Sequence, residues 1–311
     1  MQQRVAVLGA SGHTGGFVVT ELRRRGMTPV PCGRGTDLDA VFAGVDAVIN
    51  CAGPFVATAA PAIEAAIRAG IPYLDVTAEI EVVADTFAVY AGAPVPIVPA
   101  AAFYGGLGDL LATAAAGDWA AVEHLSIAYA LSSWHPTLGT TKTGRVSAQR
   151  RDGRRIAYTG GRLRHLTGDA PVTEWTFPEP VGARTVVGEF TMADSVTVPT
   201  HLDVPEIATY MTRNAVQDLR AADPSGPVAV GADGRSAQTF LVEVVARAGG
   251  EQRRAVASGR DIYAVSAPLV VEAAALVLAG TGDAPGVASL GARFDPKAFL
   301  GALSPRHLTV E

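Results

Sequence analysis

The first hundred residues alternate between short apolar runs and segments with apolar positions at helical spacing. The apolar runs are rich in β-branched residues and end at glycine, proline or polar residues, which is typical of buried strands. Strands separated by helices of about 10–15 residues favour a parallel sheet that is covered on both faces. The predicted strands cover 4–8, 28–32, 46–51, 73–76 and 96–99.

The pattern changes near residue 121, where a longer alternating run, 124–132, begins. From there to residue 262 the chain is rich in β-branched residues, glycine and proline. Two strand-like runs, 239–246 and 253–262, flank Gly249-Gly250, which is a hairpin signal. This part of the chain therefore predicts an α+β domain built on a mostly antiparallel sheet.

The length of 311 residues is typical of two domains. The predicted apolar helix 270–279 favours a return of the chain to the first domain after residue 264. We therefore expect an α/β fold in which 1–120 and 264–311 form a Rossmann-type, doubly wound parallel sheet. The inserted segment 121–263 would form the substrate domain.

A glycine-rich turn follows the first predicted strand. Gly9, Gly12 and Gly15 are spaced G-x-x-G-x-x-G, and a helical pattern begins directly after them. Glycine allows a tight turn and close backbone approach, and the helix N-terminus offers N–H groups to a pyrophosphate. The alternative is a glycine-rich connector without a ligand. The residues assigned to dinucleotide binding here are Gly9, Ser11, Gly12, His13, Thr14 and Gly15.

The end of the second predicted strand indicates which nucleotide is bound. An NAD site places an acid there to hold the ribose hydroxyls, whereas this chain has Cys32-Gly33-Arg34-Gly35 and no acid before Asp37. An arginine can pair with the 2′-phosphate of NADP. We therefore predict NADP (NADPH) as the cofactor, with an exposed loop residue as the alternative for Arg34.

Four motifs in the first 110 residues or so form a recognisable set: Gly9-Ala10-Ser11-Gly12-His13-Thr14-Gly15, Gly33-Arg34, Val48-Ile49-Asn50-Cys51-Ala52-Gly53-Pro54-Phe55 and Tyr73-Leu74-Asp75-Val76-Thr77-Ala78-Glu79. Together they resemble the saccharopine dehydrogenase-like NAD(P)-binding family, which includes saccharopine reductases and trans-acting enoyl reductases. The resemblance implies a Rossmann domain, an inserted substrate domain and NAD(P)-linked redox chemistry on an imine or an activated alkene.

Two segments depart from that family. Only 11 residues separate Arg34 from Asp46, where the family has room for a further helix and strand. Segment 37–44 can form little more than a short helix, so one edge of the sheet is trimmed and the adenosine end of the cofactor more exposed. Segment 100–109 replaces the family's usual turn, and we expect its last residue, Asp109, to cap the following helix.

Ligands of doubly wound folds lie beyond the carboxyl ends of the strands. This places Cys51, Ala52, Gly53 and Pro54 at the cofactor, and Phe55, Thr77 and Tyr104 at the substrate. Tyr104 follows a buried strand and precedes two glycines, so it is a candidate catalytic proton donor. A packed tyrosine is the alternative. For Cys51 a small buried residue is favoured over a nucleophile.

A second group of candidates lies in segment 134–145. The Gly139-Thr140-Thr141 turn opens a predicted helix and would bind a substrate carboxylate through N–H groups and hydroxyls. His135 titrates near neutral pH and Lys142 carries a proton, so both are candidate catalytic residues. The alternative is a loop followed by a solvated helix.

The formal net charge of −5 and the pI of about 5.7 argue against nucleic-acid binding, which calls for a basic domain. The segment from Lys142 to Arg164, however, contains eight cations and a single acid, Asp152. This stretch is either a patch for an anionic small-molecule substrate or an exposed helix and hairpin paired with acids elsewhere. The second interpretation is favoured.

No leader or membrane-spanning pattern is evident, and two cysteines suggest neither a disulfide framework nor a metal site. We expect a cytoplasmic protein and, by analogy, a homodimer. The leading hypothesis is an NADPH-dependent reductase of a C=N or conjugated C=C bond in a small or biosynthetic substrate. The alternatives are a nucleotide-binding redox sensor or regulator without turnover, and a non-redox isomerase or cyclase.

Overall fold

The computed structural model describes residues 2–221 and 225–311. Its strands belong to two sheets, and the apolar runs of the sequence supply their buried positions. The strands are β1 (Arg4–Leu8), β2 (Thr28–Cys32), β3 (Ala47–Asn50), β4 (Tyr73–Asp75), β5 (Pro96–Val98), β6 (His124–Leu131), β7 (Arg155–Thr159), β8 (Arg162–Leu166), β9 (Val172–Thr176), β10 (Ala183–Gly188), β11 (Glu206–Thr212), β12 (Thr239–Ala248), β13 (Glu251–Arg260), β14 (Gly286–Val287) and β15 (Leu308–Val310).

Helices follow most strands of the first half, as the alternating pattern predicts. In the part of the chain that the structure describes, none of them is long and apolar enough to cross a membrane. They are α1 (His13–Arg24), α2 (Leu38–Phe42), α3 (Phe55–Ala69), α4 (Ile80–Tyr90), α5 (Gly108–Ala116), α6 (Leu138–Arg150), α7 (Asp194–Thr197), α8 (Arg213–Ala221), α9 (Ile262–Leu278), α10 (Leu290–Arg293) and α11 (Pro296–Leu303).

The first sheet is parallel, with strand order β14-β5-β4-β3-β1-β2. Residues of both pleat directions, such as Val5, Ala6, Val48 and Ile49, are fully buried because helices cover both faces. The strand order reverses at β1, as in doubly wound folds. The predicted Rossmann-type sheet is confirmed.

The second sheet has the order β15-β13-β12-β6-β11-β10-β9. In addition, β7 pairs with β11 on one side and with β8 on the other. Its pairs are antiparallel except for β6 and β11, which run parallel. Gly249 and Gly250 join β12 to β13 with φ values of 58° and 80°, which the hairpin turn requires. The predicted α+β sheet is therefore confirmed.

The C-terminal segment contacts both sheets. α9 packs on α1, where Glu272 accepts a hydrogen bond from Arg25, and β14 extends the parallel sheet beside β5. β15, in contrast, pairs with β13 of the second sheet. The division into 1–120 plus 264–311 and 121–263 stays a prediction, with the last strand lying in the second sheet.

One edge of the parallel sheet is trimmed as expected. The connection from β2 to β3 contains only the five-residue helix α2, whose N-cap Asp37 accepts a hydrogen bond from the N–H of Ala40. β2 is therefore the edge strand, and it carries Pro29 and Pro31.

The expectation that Asp109 caps α5 is wrong. Asp109 lies inside the first turn of α5 and makes no cap bond there. Its buried Oδ2 instead accepts a hydrogen bond of 2.6 Å from the N–H of Gly291, at the start of α10. The carboxylate thus joins two helices that are far apart in sequence.

Candidate functional site

The turn after β1 is held tightly by its own backbone. Gly9 has a φ of 73°, and its N–H donates to the carbonyl of Cys32 at the end of β2, at 3.2 Å. The N–H of Gly12 returns to the carbonyl of Gly9 at 2.9 Å. A Cβ on Gly15 would lie 2.1 Å from that same carbonyl oxygen. Only glycine therefore allows α1 to begin this close to the turn.

The start of α1 offers unpaired backbone donors to an anion. Gly12 is the N-cap and has no side chain that could occupy the first N–H groups of the helix. Aligned peptide dipoles make this end positive, so it suits a phosphate. The ring of His13 packs edge-on against Phe17 and Tyr263, with 5.3 Å between ring centroids in both cases. Burial lowers the pKa of His13, so its imidazole is neutral at pH 7.

Arg34 is exposed beside this turn. It lies two residues beyond Cys32, the residue that accepts the hydrogen bond from Gly9. The backbone of Arg34 therefore lies at the same end of the sheet as the glycine-rich turn, with its side chain exposed.

A buried polar chain fixes the carboxyl ends of β3 and β4. Asn50 accepts a hydrogen bond from the N–H of Ala52 at 2.9 Å and donates to the hydroxyl of Tyr73 at 3.1 Å. Tyr73 donates to Asp75, also at 3.1 Å. Burial raises the pKa of Asp75 to about 6, against the lowering effect of the bonds it accepts. This chain holds the Cys51–Pro54 turn in place.

Glu79 positions the start of α3. Its carboxylate accepts hydrogen bonds from the N–H groups of Phe55, at 2.6 Å, and Val56, at 3.0 Å. A carboxylate is favourable at a helix N-terminus because it meets the positive end of the dipole. Phe55 is thereby fixed at the mouth of the turn after β3.

A cavity of about 270 Å³ lies where these strand ends face the second domain. It is of modest size beside ligand sites of about 300–1,000 Å³. The structure brings several predicted site residues to its lining, and residues from the second domain and α9 complete it. The predicted residues that line it are Thr14, Cys51, Gly53, Phe55, Tyr104 and Thr140.

Other predicted site residues lie elsewhere. His135, Thr141 and Lys142 are exposed and lie outside the cavity lining as far as the described residues define it. Thr77 is fully buried below the surface, where its hydroxyl accepts a hydrogen bond from the N–H of Glu79. The functional roles of these residues stay predictions, and the cavity geometry does not add support to them.

Tyr104 enters the cavity lining because the backbone breaks its helical course there. Tyr104 has φ −90° and ψ 128°, and Gly105 follows with a φ of 90°. The ring lines the cavity, but the hydroxyl is buried and has no hydrogen-bond partner among the described residues. Burial and the nearby Tyr263 and Asp194 raise the pKa of Tyr104 well above its usual value. The phenol is therefore held neutral, and its hydroxyl has neither an acceptor nor a donor in the described chain.

Asp194 supports this kink from below. Its carboxylate accepts hydrogen bonds from the hydroxyl of Tyr129 at 2.8 Å and from the N–H of Gly105 at 3.3 Å. It is fully buried, and this burial raises the pKa of Asp194 to about 6.

The raised pKa of Asp194 predicts a pH-dependent stability. The native carboxyl keeps its proton to higher pH than the unfolded one, so the free energy of unfolding falls as pH rises from about 4 to about 6. We expect Asp194→Asn to remove roughly 3 kcal/mol of this fall. Urea unfolding at both ends of the range measures it, with the exposed Asp169→Asn as control. An unchanged pH dependence in Asp194→Asn would contradict the assignment.

The sequence analysis missed Tyr263, which begins α9 and lines the cavity. Its hydroxyl accepts hydrogen bonds from Trp134 Nε1 at 3.2 Å and from the N–H of Thr137 at 3.3 Å. It also lies 2.9 Å from the hydroxyl of Thr140. Burial raises the pKa of Tyr263, although these three bonds act in the opposite direction. The phenol thus keeps its proton, while its oxygen accepts from two N–H groups and shares a hydrogen bond with the Thr140 hydroxyl.

The helix α6 closes one side of the cavity by pairing with α4. Ser147 donates to Glu81 at 2.6 Å, and Arg151 donates to the same carboxylate at 3.2 Å. Arg150 pairs with Asp85 at 2.7 Å. Three cations of the basic stretch pair with acids outside it, which supports the interpretation of an exposed helix and hairpin paired with acids elsewhere, and Arg154 pairs with Asp152 within it. The ion pairs are Arg150–Asp85, Arg151–Glu81, Arg154–Asp152 and Arg155–Glu189.

Solved structures show the class of fold to which this geometry belongs. Apo histidine-tagged saccharopine dehydrogenase (L-Glu forming) from Saccharomyces cerevisiae is 11% identical, with 99% of each chain covered and a TM-score of 0.61. An engineered D-amino acid dehydrogenase bound to NADP⁺ is 12% identical (98% and 99% covered; TM-score 0.52). DAP dehydrogenase from C. glutamicum in complex with DAP is 13% identical (98% and 99% covered; TM-score 0.51).

These likenesses extend over both sheets, so the chain shares the two-domain fold of these three dehydrogenases. The fold that the family resemblance implies is therefore confirmed. No protein-family profile and no curated protein matches the sequence itself.

Proposed function

We propose that the protein is an NADPH-dependent oxidoreductase that reduces a C=N or conjugated C=C bond of a small molecule. One observation carries the proposal: the glycine-rich turn and Tyr263 share a single cavity, with Thr14 of the turn in its lining. A nucleotide on the turn would therefore reach the same space as a proton-bearing hydroxyl.

The residues present fit a dinucleotide. The free N–H groups at the start of α1 would hold the pyrophosphate. At Gly53 a Cβ would lie 2.7 Å from Thr143 Oγ1, so glycine lets the turn after β3 approach α6 closely. Cys51 and Gly53 line the cavity beyond the turn, as the sequence analysis expects for the nicotinamide end. When bound, a reduced nicotinamide supplies a hydride to an electrophilic carbon.

Tyr263 is the residue that we assign as proton donor. Its raised pKa keeps the phenol protonated at neutral pH, so the proton is available to the atom of the substrate that gains charge. The phenolate left behind would accept hydrogen bonds from Trp134 Nε1 and the N–H of Thr137, and the Thr140 hydroxyl can turn to donate as well, which stabilises the negative charge. The three groups hold the tyrosine oxygen in one position at the cavity wall.

Arg34 is assigned to the 2′-phosphate of NADPH. A charge-assisted hydrogen bond contributes about 1.5–3 kcal/mol, so Arg34→Ala should weaken NADPH binding by about 10- to 100-fold. The affinity for NADH should stay within about twofold of its original value. Titration calorimetry with both nucleotides measures the difference, and the exposed Arg23→Ala on α1 is the matched control. Equal losses for both nucleotides would contradict the role of Arg34.

The test of the function is a two-stage assay: NADPH binding, then its oxidation with imine and enone substrates followed at the nicotinamide absorbance band. Binding and oxidation together support the reductase. Tight binding without oxidation by any of them would favour the sensor, and turnover without a change in the nicotinamide would favour an isomerase or cyclase. The cytoplasmic location and the homodimer stay predictions.

A further inference from the structure

The cavity has an aromatic wall that none of the site motifs predicts. The rings of Tyr104 and Trp134 lie 5.5 Å apart, centroid to centroid, at an interplanar angle of 31°. Trp134 is followed by Phe190, at 6.4 Å and 51°. The three rings come from three separate segments and all line the cavity. Aromatic faces favour flat, apolar partners, because such contacts add to the burial of surface.

The remaining side chains of the lining are mostly aliphatic or hydroxyl groups. Ile80, Met192, Leu219 and Ile262 contribute apolar surface. Most of the hydroxyls are already bonded within the protein: Ser147 donates to Glu81, and the Thr191 hydroxyl accepts from the N–H of Ile156. Apart from the unpaired Tyr104 hydroxyl and Arg151 Nε, the cavity therefore offers few free polar groups to a ligand.

Charge is scarce in the lining as well. Among the described residues, Arg151 is the one charged side chain that lines the cavity. Its Nη1 donates to Glu81 at 3.2 Å and to Ser147 at 2.6 Å, so its charge is paired with a carboxylate, while its buried Nε has no partner in the described chain. Among the described residues, no carboxylate lines the cavity, so none could pair with an ammonium group of a substrate. Burying an unpaired charge is costly, so this cavity disfavours ions.

We propose that the substrate is a neutral, largely apolar molecule with a flat ring or conjugated segment and one hydrogen-bond acceptor at the reducible group. The acceptor would meet Tyr263, and the flat part would lie along the wall of Tyr104, Trp134 and Phe190. This inference rests on the proposed function, because it names the substrate class of the same cavity. It departs from the anionic substrate considered for the basic stretch. It also departs from the amino acid named for the D-amino acid dehydrogenase.

The test compares two probes of nearly equal shape that differ in charge. Benzylideneacetone is a neutral conjugated ketone, and cinnamate replaces its methyl ketone with a carboxylate. Binding is measured by titration calorimetry in the presence of NADP⁺, which permits no reduction. We expect benzylideneacetone to bind at least tenfold more tightly than cinnamate at pH 7.5, an estimate of order of magnitude from the cost of an unpaired charge.

A pair of variants locates the binding. Phe190→Ala removes one ring of the wall and should weaken benzylideneacetone by about tenfold. Val89→Ala, at an exposed apolar position of α4 that does not belong to the lining, should leave it unchanged. Tighter or equal binding of cinnamate, no binding of either probe, or equal affinity in Phe190→Ala would each overturn the proposal.

The proposed function is tested separately, by measuring NADPH oxidation with benzylideneacetone as the substrate. If benzylideneacetone binds as expected but NADPH is neither bound nor oxidised, the reductase assignment fails while the ligand class stands. If NADPH is oxidised with cinnamate but not with the ketone, the reductase stands and the substrate class is wrong. The two failures therefore give different results.

Discussion

Replacing Gly15 with alanine should weaken NADPH binding by about 100-fold or more, equivalent to roughly 3 kcal/mol. The added Cβ would lie 2.1 Å from the carbonyl oxygen of Gly9 and 2.8 Å from its carbonyl carbon. Both are backbone atoms, so relief requires α1 to move away from the turn. The N–H groups that would face the pyrophosphate move with it. Nucleotide affinity is measured by calorimetry, and the melting temperature reports the accompanying loss of stability.

The neighbouring glycines supply graded controls for Gly15→Ala. A Cβ on Gly16 meets no atom within 4 Å, so Gly16→Ala should bind NADPH normally and stabilise the helix by up to about 1 kcal/mol. A Cβ on Gly12 would lie 3.1 Å from the carbonyl oxygen of Gly9, which predicts an intermediate effect. An affinity in Gly15→Ala equal to that of Gly16→Ala would show that the turn does not hold the nucleotide.

Replacing Tyr263 with phenylalanine should lower kcat for reduction by about 100- to 10,000-fold, the range typical of a lost general acid. The ring stays in place against His13, so the affinity for NADPH should change little. Alkaline pH should slow the original enzyme as Tyr263 loses its proton, and the phenylalanine variant should lack that dependence. Steady-state kinetics across pH measures both effects.

Tyr104→Phe is the matched control for Tyr263→Phe. Both rings line the cavity, but the Tyr104 hydroxyl is buried without a partner in the described chain, whereas the Tyr263 hydroxyl has three. We expect Tyr104→Phe to keep kcat within a few fold, because the buried Tyr104 oxygen has no donors that would stabilise the phenolate left after proton transfer. The reverse ranking of the two variants would restore Tyr104 as the donor that the sequence analysis favoured.

Local signals in the sequence were sufficient to predict most of the fold. Gly9, Gly12 and Gly15 follow a strand and precede a helix, so their spacing alone was enough to predict the strand, turn and helix. Gly249-Gly250 likewise specifies a hairpin on its own, since both residues need a positive φ. The short separation between Arg34 and Asp46 was enough to predict that a helix and a strand are missing from this edge of the sheet.

The candidate site could be predicted only in part, because its chemistry depends on contacts between distant segments. Tyr263 meets Thr140 across 123 residues and Trp134 across 129 residues, and no local pattern marks such a pair. His135 and Lys142 carry suitable chemistry, but the course of α6 leaves both exposed. Asp109 was expected to cap its own helix, but its buried carboxylate instead accepts a hydrogen bond from the N–H of Gly291, 182 residues away.

The edge strand β2 has a consequence for self-association. The N–H of Thr28 points inward to the carbonyl of Gln3, and alternate residues of a strand point their N–H groups to opposite sides. Positions 29 and 31 therefore face the free edge, and both are proline, which has no N–H to donate. A neighbouring chain finds no donors there at either position, so this side of the sheet cannot be extended as a regular ladder. The short connection after β2 leaves this edge uncovered, and its two prolines disfavour association of copies by strand pairing there.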